Sequence, residues 1–127
     1  MSFFNFFSGD SKPDQPAFPW IPLELVEQLD EVIEQSNEKP VVIFKHSTRC
    51  SISRFALRQW ENDYNPEDFD VHFYFIDLLR FRVVSNEVAS RFQVVHQSPQ
   101  ILLIQNGKCI YHDSHDGISM ENLRKYV

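Results

Sequence analysis

Cys50 is the residue on which chemistry can be built. It follows the polar corner Lys45-His46-Ser47-Thr48-Arg49 and opens a stretch with helical spacing. Its sulfur is therefore expected at a helix N-terminus, facing unpaired N–H groups and the positive end of the helix dipole. A thiolate is favoured in such a place. From Val41 to Trp60 there is no Asp or Glu, while Lys45, Arg49, Arg54 and Arg58 all fall inside, so local charge acts in the same direction. An isolated cysteine is more often a small buried apolar residue, but the polar corner before this one argues against burial.

Ser53 lies one helical turn after Cys50, where dithiol oxidoreductases place a resolving cysteine. A hydroxyl cannot form a disulfide, so any mixed disulfide on Cys50 would wait for an external thiol. Ser53 could instead donate to the thiolate or simply occupy the first turn. Ser98-Pro99 precedes an apolar run, and proline is tolerated at a strand start. The candidate binding and thiolate-tuning residues are thus Lys45, Thr48, Arg49, Ser53, Ser98 and Pro99. His46, His96 and His115 have no metal-ligand spacing and are expected to be structural, as is Asp77 at a strand end. Cys109, on a later strand, is expected to be a small apolar residue; a resolving role would require its Cα within about 7 Å of that of Cys50.

The elements that must position these residues follow from periodicity. Leu25/Val26, Leu29 and Val32/Ile33 recur at helical spacing within 23–35. Pro40-Val41-Val42-Ile43-Phe44 suits a central strand buried on both faces. A second helix is expected over 50–64, with Ile52, Phe55/Ala56 and Trp60 inward, then a strand over 69–77 and a short helix capped by Ser85. Asn106-Gly107 joins strands 100–104 and 108–112 as a hairpin, and Ser119 caps a last helix carrying Met120, Leu123 and Tyr126/Val127. The order α-β-α-β-α-β-β-α predicts a mixed sheet with helices on both faces. It resembles the thioredoxin fold, a three-layer α/β/α sandwich around a mixed four-stranded sheet. Residues 1–21, with Phe3-Phe4-Asn5-Phe6-Phe7 and the prolines Pro13, Pro16 and Pro19, read as an extended leader to a domain over 22–127 that opens at Pro22, with Phe18 and Trp20 available to dock on it.

At 127 residues, 43% hydrophobic, the chain suits one domain. No run approaches the roughly 20 apolar residues of a spanning helix. A net charge of −6 disfavours nucleic acid as a partner. Two cysteines are too few for a disulfide scaffold, which fits a reducing cytosol.

From about Trp20 onward the chain resembles the monothiol bacilliredoxins. The resemblance is carried by Phe44-Lys45-His46-Ser47-Thr48-Arg49-Cys50-Ser51-Ile52-Ser53, by His96-Gln97-Ser98-Pro99-Gln100 and by His112-Asp113-Ser114-His115. The family usually has proline after its active cysteine, where this chain has Ser51. The resemblance implies that Cys50 is the redox cysteine and Pro99 the cis-proline facing it. It further implies removal of bacillithiol from bacillithiolated proteins, with free bacillithiol as co-substrate, no tightly bound cofactor, and an NADPH-dependent disulfide reductase acting indirectly. The carboxylates on the malate part of bacillithiol suit Arg49 and Lys45. Two rival readings share the fold: a glutathione-dependent glutaredoxin-like protein, against which the lack of a Gly-Phe pair after Cys50 counts, and a non-catalytic adaptor.

Overall fold

The computed structural model describes residues 17–127, so the aromatic run Phe3–Phe7 lies outside the described residues. The strands are β1 (Trp20–Pro22), β2 (Val41–His46), β3 (His72–Asp77), β4 (Gln100–Gln105) and β5 (Lys108–Ser114). The α-helices are α1 (Gln28–Gln35), α2 (Ser51–Asp63), α3 (Arg82–Phe92) and α4 (Met120–Arg124). The sheet runs β1-β3-β2-β4-β5. β1, β3 and β2 are parallel, whereas β4 runs antiparallel to β2 and β5 antiparallel to β4. All six residues of β2 are buried, as a strand covered on both faces requires.

Side-chain alternation along β2 divides the interior in two. Val41 and Ile43 join Leu29, Val32, Val84 and Val88, packing one face of the sheet against α1 and α3. Val42 and Phe44 join Ala56, Trp60, Met120 and Leu123, packing the other face against α2 and α4. The hairpin turn forms as its sequence predicts, with Asn106 at φ 52° and Gly107 at φ 78°. Buried Ser36, at the end of α1, fastens it: its carbonyl accepts from Asn106 N–H at 2.9 Å and its Oγ from Gly107 N–H at 2.8 Å. Ser119 caps α4 by accepting from Asn122 N–H.

Four expectations are corrected. The sheet has five strands, because Trp20–Pro22 adds a parallel edge to β3, a position that tolerates Pro22. A segment this short shows no period. Phe18 and Trp20 nonetheless dock as anticipated: Phe18 packs on Tyr64 and Phe73, and Trp20 Nε1–H donates to Glu61 at 2.6 Å. The first helix begins at Gln28 rather than Leu23, because the Gln28 side chain accepts from the N–H groups of Glu24 and Leu25 and donates to the Pro22 carbonyl. That holds 23–27 in turns and leaves Leu25 exposed. Ser85 is no cap: α3 already starts at Arg82, and Ser85 is fully buried inside it. Finally, α2 buries Ala56 and Trp60 as expected, but Ser53 takes the inward place given to Ile52, and Ile52 and Phe55 are exposed.

Candidate active site

The C-terminal ends of β2 and β3, the N-terminus of α2 and the start of β4 converge at one end of the sheet. β2 ends at His46, which is in register with Asp77 of β3. Ser47 to Cys50 form a tight turn in which Cys50 N–H donates to the Ser47 carbonyl at 3.2 Å. Cys50 is the N-cap of α2, in extended conformation, and its carbonyl accepts the first helical bond from Arg54 N–H at 3.0 Å. The free, partly exposed thiol therefore sits at the positive end of a 13-residue helix with no acid in its first turn.

Ser98–Pro99 is a cis peptide bond, and Pro99 is buried. The last β2–β4 pair is Lys45–Gln100, so one further step of register sets Pro99 beside His46, next to the turn that carries Cys50. The Pro99 carbonyl accepts from His115 N–H at 3.1 Å, and Ser98 Oγ is buried without a partner. Thr48 and Arg49 are exposed at the turn; the Thr48 carbonyl accepts from the Arg54 guanidinium at 3.1 Å.

Ser53 is fully buried and occupied. Its Oγ accepts from Ser47 N–H at 3.0 Å and shares a hydrogen bond of 2.7 Å with His46 Nδ1. These two bonds tie the first turn of α2 to the turn before it. Burial holds His46 below the usual imidazole range, against the opposing pull of Asp77 and Glu61. Asp77 Oδ1, on the neighbouring strand, is buried without a hydrogen-bond partner.

Lys45 does not join this group, which corrects its expected place beside the thiol. It alternates with His46 on β2, so it faces α3 and not α2. The side chain is wholly buried; its ammonium donates to the Ser85 carbonyl at 3.1 Å and to His96 Nδ1 at 3.2 Å. Burial, with Arg82 nearby, lowers its pKa to about 8. His96 is also held below the usual range, by burial and then by Lys45 and Arg82. Among the site candidates, the structure thus gathers Thr48, Arg49, Ser53, Ser98 and Pro99 around the Cys50 turn and leaves Lys45 behind the sheet.

Cys109 cannot resolve a disulfide on Cys50. It pairs with Ile104, which pairs with Val41 at the far end of β2. Five strand steps from Val41 to His46 are about 17 Å, far beyond the roughly 7 Å a disulfide spans. Burial also raises its pKa. Among the described residues, no cluster of three or more His, Cys, Asp or Glu could hold a metal ion, and no helix is long and apolar enough to cross a membrane.

Sequence reasoning missed the exposure of Ile52 and Phe55 beside the thiol. The signal was Ser53-x-x-Ala56-x-x-x-Trp60, a stripe of small residues and one tryptophan at helical spacing, which lets α2 lie close on the sheet.

The central β2, antiparallel β4 and β5, and a cis-proline beside a helix-capping cysteine define a thioredoxin fold with a thiol site. A solved thioredoxin-fold structure matches at TM-score 0.73 and 29% identity, covering 84% of this chain and 92% of its own. Thioredoxin from Trypanosoma brucei brucei matches at 0.65 and 21%, covering 86% and 88%. Mitochondrial thioredoxin 3 from Saccharomyces cerevisiae matches at 0.65 and 19%, covering 84% and 93%. The family model of monothiol bacilliredoxin BrxC matches residues 21–123, and the chain belongs to that family. Family and fold together support a thiol redox function.

Proposed function

We propose that this protein is a monothiol thiol-disulfide oxidoreductase that removes bacillithiol from protein mixed disulfides in the cytoplasm. The observation that carries the reading is Cys50: a partly exposed thiol at a helix N-terminus, with no second thiol to resolve it. Ser53 is buried in its own hydrogen bonds and Cys109 sits at the other end of the sheet.

The Cys50 thiolate attacks the bacillithiol sulfur of the mixed disulfide. A Cys50–bacillithiol disulfide forms, the protein–bacillithiol disulfide breaks, and the electron pair leaves on the protein thiolate. A second bacillithiol thiolate then attacks the bacillithiol sulfur on Cys50, which restores the Cys50 thiolate and releases the bacillithiol disulfide. An NADPH-dependent disulfide reductase returns that product to the thiol. Arg49, exposed beside the sulfur, suits the malate carboxylates; Thr48, Ser98 and Pro99 border the same turn and serve as the docking edge for the substrate backbone. Bacillithiol enters as substrate, and no resident cofactor is required.

Intact-mass measurement tests this directly. The reduced protein is mixed with a bacillithiolated model protein, with a glutathionylated one, and with each using Cys50→Ala as control. Transfer of bacillithiol to Cys50, faster than of glutathione and absent in the variant, is expected. Preferential glutathione transfer would move the protein to the glutaredoxin-like reading. Equal, label-free spectra for wild type and variant would leave the adaptor.

A further inference from the structure

Ile52 and Phe55 lie three residues apart on α2 and are 56% and 66% exposed. The inward stripe of this helix is already filled by Ser53, Ala56 and Trp60, so neither side chain serves the core. Arg58 follows Phe55 by one turn, Arg54 stands one turn before Arg58, and Arg49 precedes the thiol. The ion pairs among the described residues engage Lys39, Arg91 and Arg124 and leave these three guanidiniums without a carboxylate. The acids of α2 sit near its far end, where Glu61 accepts from Trp20 and Asp63 from Gln59. An apolar ridge flanked by unpaired cations therefore runs from the redox turn along α2, on a chain whose net charge is −6.

We propose that the protein substrates of Cys50 dock on this ridge through a segment carrying acidic side chains and one large apolar side chain beside the thiolated cysteine. The inference rests on Cys50 accepting the thiol, and it adds what selects the protein. Ile52 and Arg58 are six helical steps apart, about 9 Å, the reach of three extended residues of a partner chain. The apolar side chain covers Ile52 and Phe55, while carboxylates pair with Arg54 and Arg58. Arg49, nearest the sulfur, is left to the small thiol. The rest of the protein is acidic and repels such a segment, so the ridge also sets its direction of approach.

Three peptides test this, each with one cysteine in a mixed disulfide with bacillithiol: one flanked by Asp, Glu and Leu, one by Lys and Leu, one by Asp, Glu and Ser. With the full chain, the acidic-Leu peptide is expected to lead the Lys-Leu peptide by about tenfold in kcat/KM, with the gap closing in high salt. Arg54→Glu with Arg58→Glu should reverse that order, and Phe55→Ser should erase the advantage of Leu over Ser. Equal kcat/KM for all three peptides, or an order unmoved by charge reversal, overturns the docking and leaves the redox reading intact. Fluorescence anisotropy with Cys50→Ser and peptides carrying Ser for Cys reads docking alone. The same order there without any bacillithiol transfer in the first assay supports the ridge and rejects the redox reading. Binding that emerges only after Phe3, Phe4, Phe6 and Phe7 are all changed to Ser makes the chain's own start the occupant. A dimer dissociated by Phe55→Ser makes a second copy the occupant. Either outcome overturns the proposal.

Discussion

Ser53 and Lys45 are both wholly buried polar side chains near the end of β2, and they meet burial differently. Ser53 has a donor and an acceptor around it, so Ser53→Ala strands Ser47 N–H and His46 Nδ1. A loss of about 1–3 kcal/mol in urea unfolding is expected. Lys45 has no carboxylate partner among its hydrogen bonds, only the Ser85 carbonyl and His96. Its folded pKa of about 8 lies below the unfolded value of 10.5, so the unfolded chain binds more protons between those values. The cost of burying the ammonium is fully present below pH 8 and relieved as pH rises toward 10.5. Wild-type stability relative to Lys45→Met should therefore climb across that window, by on the order of 3 kcal/mol, in paired unfolding curves. Cys50 was legible in the sequence because its polar corner and helical follow-on sit side by side. Lys45 was not, because a strand buried on both faces has no outward position to betray a charge; only alternation, counted from Phe44, separates it from the thiol.

Elements were read well wherever a period ran long enough and poorly where a buried polar residue or a side-chain cap displaced it. β2, the hairpin and the Ser119 cap were legible in runs and turn residues. The outward position of Ile52 and Phe55 on α2 was not, since a buried serine and an exposed phenylalanine invert the usual pattern. β1 and the late start of α1 depended on Trp20 and on the side chain of Gln28, which no periodicity announces. The connection after β5 offers a further test. A Cβ on Gly117 would overlap the Asp113 carboxylate, which already accepts from Tyr111 OH at 2.8 Å and from Ser114 N–H at 2.9 Å. Gly117→Ala should displace Asp113 and cost about 1–3 kcal/mol, read as a lower urea midpoint at unchanged slope.

For the whole molecule, three buried or half-buried imidazoles set the behaviour in acid. His46, His72 and His96 are each held below the ordinary value of 6.5, with burial the first cause in every case. The unfolded chain takes up these protons first, so stability should fall as pH drops through and below 6.5. A thermal melt series from pH 7.5 to 5 checks this, and His46→Asn with His96→Asn should flatten it. The two tryptophans add a practical consequence. Trp20 and Trp60 both pack against Phe44 and Phe73 on the α2 side of the sheet, and no tryptophan lies on the α1 and α3 side. Intrinsic emission is consequently a one-sided optical window. It follows the layer that carries the thiol and is blind to the layer that carries Lys45, so an emission change that precedes the loss of far-ultraviolet dichroism would mean the redox layer loosens first.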